Sequence, residues 1–172
     1  MKSEDPVEEE YVVEEYETGS RYEGFKSNGM RNGRGKFYYQ DGGYYEGQWR
    51  NNKMDGFGKL YYDGGKLAYE GNWSQDEFNG YGKVYNDNPL PLDSPFDYTN
   101  FDLLDDYWTF YEGMLMRDTK QGRGRIKLTN SEMFEGDFNN DRIQGFGKFH
   151  TMNGSVIEGI WRESKLIKVI NS

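Results

Sequence analysis

Apolar and polar residues alternate along most of this chain with the period of two that is typical of β-strands. In the stretch YEGQW, residues 45–49, the two aromatic residues and the glycine fall on one face of a strand, while Glu46 and Gln48 fall on the other. A second alternating stretch, residues 58–62, follows after a short polar segment. The pattern therefore predicts a β-hairpin, and it leaves no room for a helix between these strands.

The same hairpin pattern occurs five times and begins a sixth time. An apolar–Glu–Gly triplet opens each unit, and the glycines of successive triplets are separated by 23, 24, 42, 23 and 23 residues. In the first five units a Gly-x-Gly motif begins nine residues after that glycine. Because five units agree in register to the residue, the pattern indicates a structural repeat. The triplet glycines, which we predict to be structural, are Gly24, Gly47, Gly71, Gly113, Gly136 and Gly159.

Glycines and turn residues each have a mechanical interpretation in this repeat. A side chain at Gly47 would block an aromatic ring of the neighbouring hairpin. Gly56 and Gly58 are expected to let the return strand pass close to the rings. Five residues after each triplet glycine stands a residue that tolerates the positive φ of a tight hairpin turn. These turn residues are Gly29, Asn52, Asp76, Asp118 and Asp141.

Charged residues recur on the face opposite the aromatic residues. A glutamate stands in every triplet, and a basic residue follows each Gly-x-Gly motif. Cross-strand Glu–Lys pairs of this kind would contribute about 0.2–1 kcal/mol each. A phosphate-binding strip is the alternative interpretation of the basic column. The two columns are Glu23, Glu46, Glu70, Glu112, Glu135 and Glu158, and Lys36, Lys59, Lys83, Arg125 and Lys148.

In these features the sequence resembles the MORN (membrane occupation and recognition nexus) repeat family. The resemblance rests on the Tyr-Glu-Gly-x-Trp opening, the Gly-x-Gly motif at a fixed offset, the Asp-Gly turns and the 23-residue period, over residues 21–86 and 109–162. It implies an all-β fold, in which consecutive antiparallel hairpins form an elongated, twisted, open sheet with an aromatic groove. It also implies scaffolding rather than catalysis. Among family members, the chain is most similar to the ciliary radial spoke head and cytoskeletal MORN proteins.

Several units depart from the family pattern. The first carries Phe25-Lys26 where a polar residue and a tryptophan are expected, and Leu115 and Phe138 replace the tryptophan of the fourth and fifth units. The sixth is half a repeat, which suits an end cap or a docking edge. We predict that the aromatic face of the sheet binds a partner. Its candidate residues are Tyr45, Trp49, Tyr69, Trp73, Tyr111, Phe134, Phe138 and Trp161.

The amino-acid composition limits the kinds of functional site that the chain can form. The 172 residues include no Cys and one His, His150, which leaves little material for metal sites or His-dependent catalysis. The Gly-x-Gly motifs lack the Gly-Lys-Ser/Thr ending and the following helix that nucleotide loops require. We therefore expect no enzyme activity, no cofactor and no metal. The sequence shows neither an apolar signal segment nor a run of about 18 apolar residues, so a cytoplasmic, cytoskeletal location is expected.

Charge is unevenly distributed. The chain has a net charge of −9, of which residues 1–20 carry −7 and residues 86–108 carry −6, so the remaining body carries +4. No dense basic face indicates nucleic-acid binding. The chain divides into an acidic tail at 1–20, three repeats at 21–87, an acidic-apolar insertion at 88–108, repeats four and five plus a half repeat at 109–162, and a C-terminal strand or tail at 163–172.

The insertion and the tail each admit two interpretations. The insertion either docks a partner or folds back over its own sheet to cover the aromatic groove. The tail is expected to be solvated, although residues 11–16 can add a strand to a partner or to residues 21–26. The candidate docking residues of the insertion are Leu90, Leu92, Phe96, Phe101, Leu104 and Trp108.

Three functions follow from these expectations. The first is a non-enzymatic scaffold or adaptor in a large multi-subunit cytoskeletal complex, with self-association as a further option; the ciliary axoneme, for example its radial spoke head, is the expected setting. The second is peripheral binding to phosphoinositide membranes, which the body's positive charge supports and the acidic segments oppose. The third is a regulatory subunit of a separate enzyme.

Overall fold

The computed structural model describes residues 8–172, and β-strands are the main element of that part of the chain. One short 3₁₀ turn, Phe101–Leu103, lies between strands β7 and β8, and no α-helix occurs in the described range. The all-β prediction is confirmed. The strands are β1 Glu9–Glu15, β2 Arg21–Ser27, β3 Met30–Tyr38, β4 Tyr44–Arg50, β5 Lys53–Tyr61, β6 Leu67–Ser74, β7 Glu77–Tyr85, β8 Trp108–Met116, β9 Thr119–Leu128, β10 Met133–Asn139, β11 Arg142–His150, β12 Val156–Arg162 and β13 Lys165–Asn171.

Strand order in the thirteen-stranded sheet follows chain order from β1 to β13, as consecutive hairpins require. The described strand pairs are antiparallel, as in β4–β5 and β10–β11. The chain divides into two compact units, unit 1 at Met1–Glu77 and unit 2 at Phe78–Ser172, which we describe separately.

A line of paired glycines crosses each unit. In unit 1, Gly35 of β3 pairs with both Gly24 and Gly47, and Gly58 of β5 pairs with Gly47 and Gly71. The triplet glycine of one strand thus faces the second glycine of the Gly-x-Gly motif on the next. Unit 2 has a corresponding line, formed by Gly82, Gly113, Gly124, Gly136, Gly147 and Gly159.

Aromatic rings occupy the space that these glycines leave open. A Cβ at Gly58 would overlap the ring of Tyr45, and one at Gly35 would overlap the ring of Tyr22. The ring therefore belongs to the glycine's own hairpin, which corrects the expectation that it comes from the neighbouring one. The physical reason is that the tyrosine lies flat along its own strand, so that its hydroxyl donates to the backbone carbonyl three residues ahead. These bonds are Tyr22 to Phe25 at 2.8 Å, Tyr45 to Gln48 at 2.8 Å, Tyr69 to Asn72 at 2.7 Å and Tyr111 to Met114 at 2.7 Å.

The two glycines of each Gly-x-Gly motif have different roles. The first adopts positive φ, for example 102° at Gly56 and 103° at Gly145, beside a shift in strand register. L-residues with a side chain rarely adopt that conformation. The second, such as Gly58, lies beneath the ring. Because the motif combines a backbone requirement with a steric one, both positions exclude a side chain.

The hairpin turns confirm the prediction from the repeat. Gly29, Asn52, Asp76, Asp118 and Asp141 have φ values of 74°, 68°, 71°, 66° and 68°, respectively. The residue before each of the five is also at positive φ. These are therefore two-residue hairpin turns whose backbone twist matches that of the flanking strands.

Bonds from these turns join successive repeats. Asp76 Oδ1 accepts from the Met54 N–H at 2.8 Å, and the Asp76 N–H donates to the Met54 carbonyl at 3.0 Å. Asp118 makes the same pair of bonds with Phe78, at 2.6 and 3.1 Å. The turn residue is therefore both a tight corner and a link to the preceding hairpin.

The acidic tail contributes the first strand. Strand β1 pairs with β2 from Glu9↔Ser27 to Glu15↔Arg21, which is the second of the two alternatives for residues 11–16. Glu14 accepts a hydrogen bond from Lys26 Nζ at 2.6 Å, which lowers the pKa of its carboxyl group. The remaining part of the predicted tail, residues 1–7, lies outside the described residues.

Candidate partner-binding groove

All eight residues predicted to form the partner-binding aromatic face are buried. Five of them have no exposed surface: Tyr45, Tyr69, Tyr111, Phe134 and Trp161. The other three are Trp49, Trp73 and Phe138, none of which exceeds 7% exposure. All eight therefore form the interior of the repeats, and a partner would reach them only if the side chains above them moved.

The buried rings meet edge to face. Trp73 lies 5.2 Å, centroid to centroid, from both Tyr45 and Tyr69, so the indole of one repeat packs between the tyrosines of two. Its Nε1 donates to the Gly58 carbonyl of the preceding hairpin at 3.2 Å. In unit 2 Phe134 takes the tyrosine position and lies 5.2 Å from Trp161. Edge-to-face contacts of this kind are worth about 0.5–1.5 kcal/mol each beyond area burial.

A second layer of side chains lies above these rings in unit 1 and forms what we call the unit 1 groove. Its members are half-buried, so part of each side chain faces solvent. Phe37 stacks with Tyr16 at 6.1 Å and contacts Tyr39 at 5.0 Å, and the Tyr39 hydroxyl lies 3.7 Å from Met54 Sδ. The groove is lined by Tyr16, Arg31, Phe37, Tyr39, Met54 and Leu60.

Arg31 brings a fixed positive charge to this groove. Its guanidinium carbon lies 4.7 Å from the ring centroid of Trp49 and 5.2 Å from that of Phe37. One terminal nitrogen donates to the Asn52 carbonyl at 3.3 Å, while the buried Nε has no hydrogen-bond partner among residues 8–172. Burial raises the pKa of the neighbouring Tyr22 to about 12, although the Arg31 charge opposes that rise. The groove therefore combines aromatic surface with a cation that sequence reasoning missed.

In unit 2 the insertion, residues 88–108, covers the corresponding groove. Phe101 is 6% exposed, and its ring lies 5.1 Å from Phe134 and 5.9 Å from Phe149. Phe96 packs 6.2 Å from Phe149 and 5.2 Å from Phe101. Of the two interpretations of the insertion, the structure thus shows the fold-back over its own sheet.

The exposed fraction of one apolar side chain can be compared between successive repeats. The return strand of each repeat places one apolar residue at the same register position. In unit 1 this residue is Phe37 or Leu60, and both are half-buried. In unit 2 Ile126 is 4% exposed and Phe149 has no exposed surface. Val84, at the same position in unit 2, is half-buried like its counterparts in unit 1. The position is therefore partly open in unit 1 and at Val84, and closed at Ile126 and Phe149.

A buried carboxylate anchors the insertion. Glu132 is 1% exposed and accepts hydrogen bonds from the Phe96 N–H at 2.8 Å, the Asn130 side-chain amide at 2.7 Å and the Met152 N–H at 3.1 Å. Thr129 adds a bond to the Leu90 carbonyl at 2.8 Å. Charge-assisted bonds to backbone N–H groups are stronger than neutral ones. The anchors stand in the turn Thr129–Glu132, where other repeats carry Asp-Gly, and that departure was the signal available in the sequence.

The insertion also caps the last repeat. Leu166 occupies the position at which Met54 and Phe78 bind a turn aspartate of the following repeat. Here the Leu166 N–H donates to the Thr99 carbonyl at 2.9 Å, and Trp161 Nε1 donates to the Tyr98 carbonyl at 2.9 Å. The Thr99 carbonyl thus replaces the acceptor that a further repeat would supply, and the Tyr98 carbonyl replaces the glycine carbonyl of the preceding hairpin to which Trp49 and Trp73 donate. The end-cap role expected of the half repeat depends on a segment about 65 residues earlier in the chain.

The six candidate docking residues of the insertion have different environments. Phe96 and Phe101 are buried, whereas Leu90 is 44% exposed. Leu92, Leu104 and Trp108 are half-buried. The two phenylalanines are therefore engaged within unit 2, and a docking role for the others stays a prediction.

The opposite face of the sheet carries the predicted charge pairs. Lys59 lies 3.4 Å from Glu70, and Lys148 lies 2.7 Å from Glu158. Arg125 donates to Glu112 at 2.7 Å, which lowers the pKa of that carboxyl group. These pairs support the neutralising interpretation of the basic column over a phosphate-binding strip.

Two searches of the described residues bear on other chemistry. Within residues 8–172 no cluster of three or more His, Cys, Asp or Glu side chains is arranged to hold a metal ion. No helix in the same range is long and apolar enough to cross a membrane.

Comparison with known proteins agrees with the repeat geometry. The family model for the MORN repeat matches residues 22–44, 45–66, 69–88 and 134–156, just over half of the chain. A search of curated proteins finds no match. The hairpin β8–β9, outside those four segments, repeats the same construction, with Tyr111 over Gly113 and Gly124 and its hydroxyl bonded to Met114. The chain belongs to the MORN repeat family.

Proposed function

We propose that this protein is a non-enzymatic scaffold whose unit 1 groove binds a segment of a partner protein. MORN repeats are in general modules for protein or lipid interaction. The observation that carries the proposal is the insertion, because it places an aromatic segment, formed by a turn and the 3₁₀ turn Phe101–Leu103, on the equivalent groove of unit 2. The same repeat surface in unit 1 keeps half-buried aromatic and aliphatic side chains.

The insertion also indicates the chemistry of that partner segment. It places two aromatic rings, Phe96 and Phe101, above the core and gives its backbone groups to polar residues of the repeats. It is also acidic, with six Asp in residues 86–108. Arg31 offers a cation to an acidic segment in unit 1. The expected ligand is therefore an acidic segment with aromatic residues a few positions apart.

We place the scaffold in a cytoplasmic, cytoskeletal assembly, with the ciliary axoneme, and its radial spoke head in particular, as the specific proposal. The support is the resemblance in sequence described above and an array of repeats with two acidic segments. Localisation of a tagged copy tests this setting. Signal along cilia supports it, whereas signal at the cell cortex or diffuse in the cytosol contradicts the axonemal assignment.

Groove variants test the binding surface itself. Phe37→Ala removes a groove ring, and Phe57→Ala is the matched control because its ring is 47% exposed on the opposite face. Purified variants are used to capture cytoskeletal proteins from extracts of ciliated cells, after circular dichroism has shown that both are folded. Loss of capture with Phe37→Ala alone supports the groove. Equal capture by both variants contradicts it.

Lipid binding is the second candidate. The body of the chain carries +4, and Arg34 is exposed on the face opposite the core. Salt bridges on that face oppose this function, because Glu70, Glu112 and Glu158 neutralise the basic-column residues Lys59, Arg125 and Lys148, and Asp137 neutralises Arg123. Flotation with phosphoinositide vesicles decides between the candidates, since salt-sensitive binding favours the membrane and its absence favours the protein scaffold.

A further inference from the structure

The first and last strands of the sheet differ sharply in charge. Strand β1, Glu9–Glu15, carries four glutamates and no basic residue. Strand β13, Lys165–Asn171, carries two lysines and no acidic residue. Within residues 8–172 each of these strands has one neighbouring strand in the sheet, so each presents a second edge. Such edges are templates for pairing with another chain.

Both edges also expose apolar side chains. On β1, Tyr11 is 61% exposed and Val13 is 60% exposed. On β13, Ile167 is 53% exposed and Ile170 is 52% exposed, with Val169 at 48%. Exposed apolar residues grouped on a sheet edge are typical of strand-pairing sites.

The insertion leaves the second half of β13 open. Asn100 forms a bridge with Lys165, and the Thr99 carbonyl accepts from the Leu166 N–H at 2.9 Å. The edge that remains is residues 167–171, where Lys168 stands among the three exposed apolar side chains. A strand added to this edge therefore contacts apolar side chains and Lys168. A second lysine, Lys165, lies next to the open edge.

Charge disfavours pairing of β1 with a second β1. A symmetric antiparallel pair centred on Val12 would place Glu9 opposite Glu15 and Glu10 opposite Glu14. Like charges directly opposite each other destabilise a strand pair. Strand β13 offers β1 a basic partner with apolar side chains to match Tyr11 and Val13.

We propose that β1 of one copy pairs with the open edge of β13 of a second copy, so that the chain associates with itself head to tail. This contact uses different surfaces on the two copies, and such contacts produce rings or open chains rather than symmetric dimers. It does not involve the unit 1 groove. Self-association can therefore be tested independently of the proposed scaffold function, because the test uses the purified protein alone.

Thiol cross-linking tests the pairing directly because the natural chain has no cysteine. In the antiparallel register that places Glu10 opposite Lys168, Tyr11 lies opposite Ile167. Tyr11→Cys and Ile167→Cys are purified singly, differently tagged, and treated with a short bismaleimide that spans directly opposed positions, about 5 Å apart. A mixture is expected to give the mixed dimer, and each variant alone is expected to give none. Dimers from either variant alone indicate symmetric pairing and overturn the proposal, as does the absence of any cross-link.

Charge exchange provides an independent test. Lys168→Glu is expected to weaken self-association, measured by light scattering over a range of concentrations, at least about fivefold, because it places like charges together. Lys168→Arg is the matched control and should retain association. Combining Lys168→Glu with Glu10→Lys should restore it. Association that does not change with any of these variants overturns the proposal, and unchanged circular dichroism shows that each variant is folded.

Discussion

The ring of Tyr45 fills the space beside the Cα of Gly58, on the facing strand of its own hairpin. Its hydroxyl continues past the glycine to the Gln48 carbonyl, 2.8 Å away. Tyrosine and glycine thus form one packing unit, and the same relationship recurs between Tyr22 and Gly35 and between Tyr111 and Gly124. The glycine at this position is required by the ring and not by a ligand.

Replacement of the covered glycine should be strongly destabilising. Gly58→Ala places a methyl group in the Tyr45 ring, and overpacking of this kind is expected to lower the free energy of unfolding by about 3 kcal/mol. Gly65→Ala is the control, because Gly65 has a φ of 81° but no heavy atom within 4 Å of an added Cβ, so only backbone strain of about 1 kcal/mol is expected. Denaturant unfolding measures both. Equal losses would contradict the packing role of Gly58.

Turn substitutions should separate backbone strain from the bond between repeats. Asp76→Ala loses both the positive-φ preference and the bond to the Met54 N–H, so a loss of about 2–3 kcal/mol is expected. Asp76→Gly keeps the backbone freedom and should lose about 1 kcal/mol. Asp76→Asn keeps both features, as Asn52 does in the preceding repeat, and should lose less than about 0.5 kcal/mol. Thermal and denaturant unfolding rank the three variants by loss of stability. If Asp76→Ala caused no loss, the bond to the Met54 N–H would not contribute to stability.

Alkaline conditions should unfold the protein through its buried tyrosines. Burial raises the pKa of Tyr22 from 10.0 to about 12 and raises the pKa values of Tyr45 and Tyr111 as well. Since the neutral phenol is favoured in the folded state, its contribution to stability is complete below pH 10 and is lost as pH rises through the folded pKa values. Absorbance at 295 nm should therefore show delayed ionisation of these tyrosines, together with loss of circular dichroism, above about pH 10 to 12. Smooth ionisation near pH 10 without unfolding would contradict this burial.

Packing of the insertion against unit 2 should depend on Phe101. Phe101→Ala removes a ring that contacts Phe134, Phe149 and Trp161, and truncation of a buried phenylalanine typically lowers stability by about 3–5 kcal/mol. We expect faster hydrogen exchange in residues 94–104 and at the Leu166 amide. Leu103→Ala, at a side chain that is 53% exposed, is the control and should leave exchange unchanged. Unchanged exchange in the Phe101 variant would show that the insertion is held by other contacts.

The repeat period and the turn residues were sufficient to predict the fold. Five registered Gly-x-Gly motifs specify consecutive hairpins, and the residues at Asn52 and Asp76 specify tight corners with positive φ. The pattern could not predict which residue supplies the ring that covers Gly58. Strand alternation gives the face on which a side chain lies but not its direction along the strand. Parity of the strands likewise places Tyr45 on a face without showing how deeply it is buried.

The insertion marks the other limit of sequence reasoning. Its composition suits a docking arm and an internal cover equally well, because both need apolar residues and extended backbone. What decides between them is a set of contacts between residues far apart in the chain, such as Phe96 with Glu132 and Tyr98 with Trp161. Such pairs carry no signal in one sequence. Arg31 was missed for a related reason, since its repeat position is occupied by Met54 and Phe78 in the next two units.

Site-specific photo-cross-linking can show whether the unit 1 groove binds a partner segment. A benzophenone amino acid is placed at Tyr39 in the groove or, as the control, at Tyr81, which is 54% exposed on the other face. After irradiation in extracts of ciliated cells, mass spectrometry identifies the attached peptides. We expect position 39 to capture one acidic, aromatic segment of an axonemal protein and position 81 to capture none. Capture of that protein only at position 81, or no specific capture at position 39, would contradict binding at the groove.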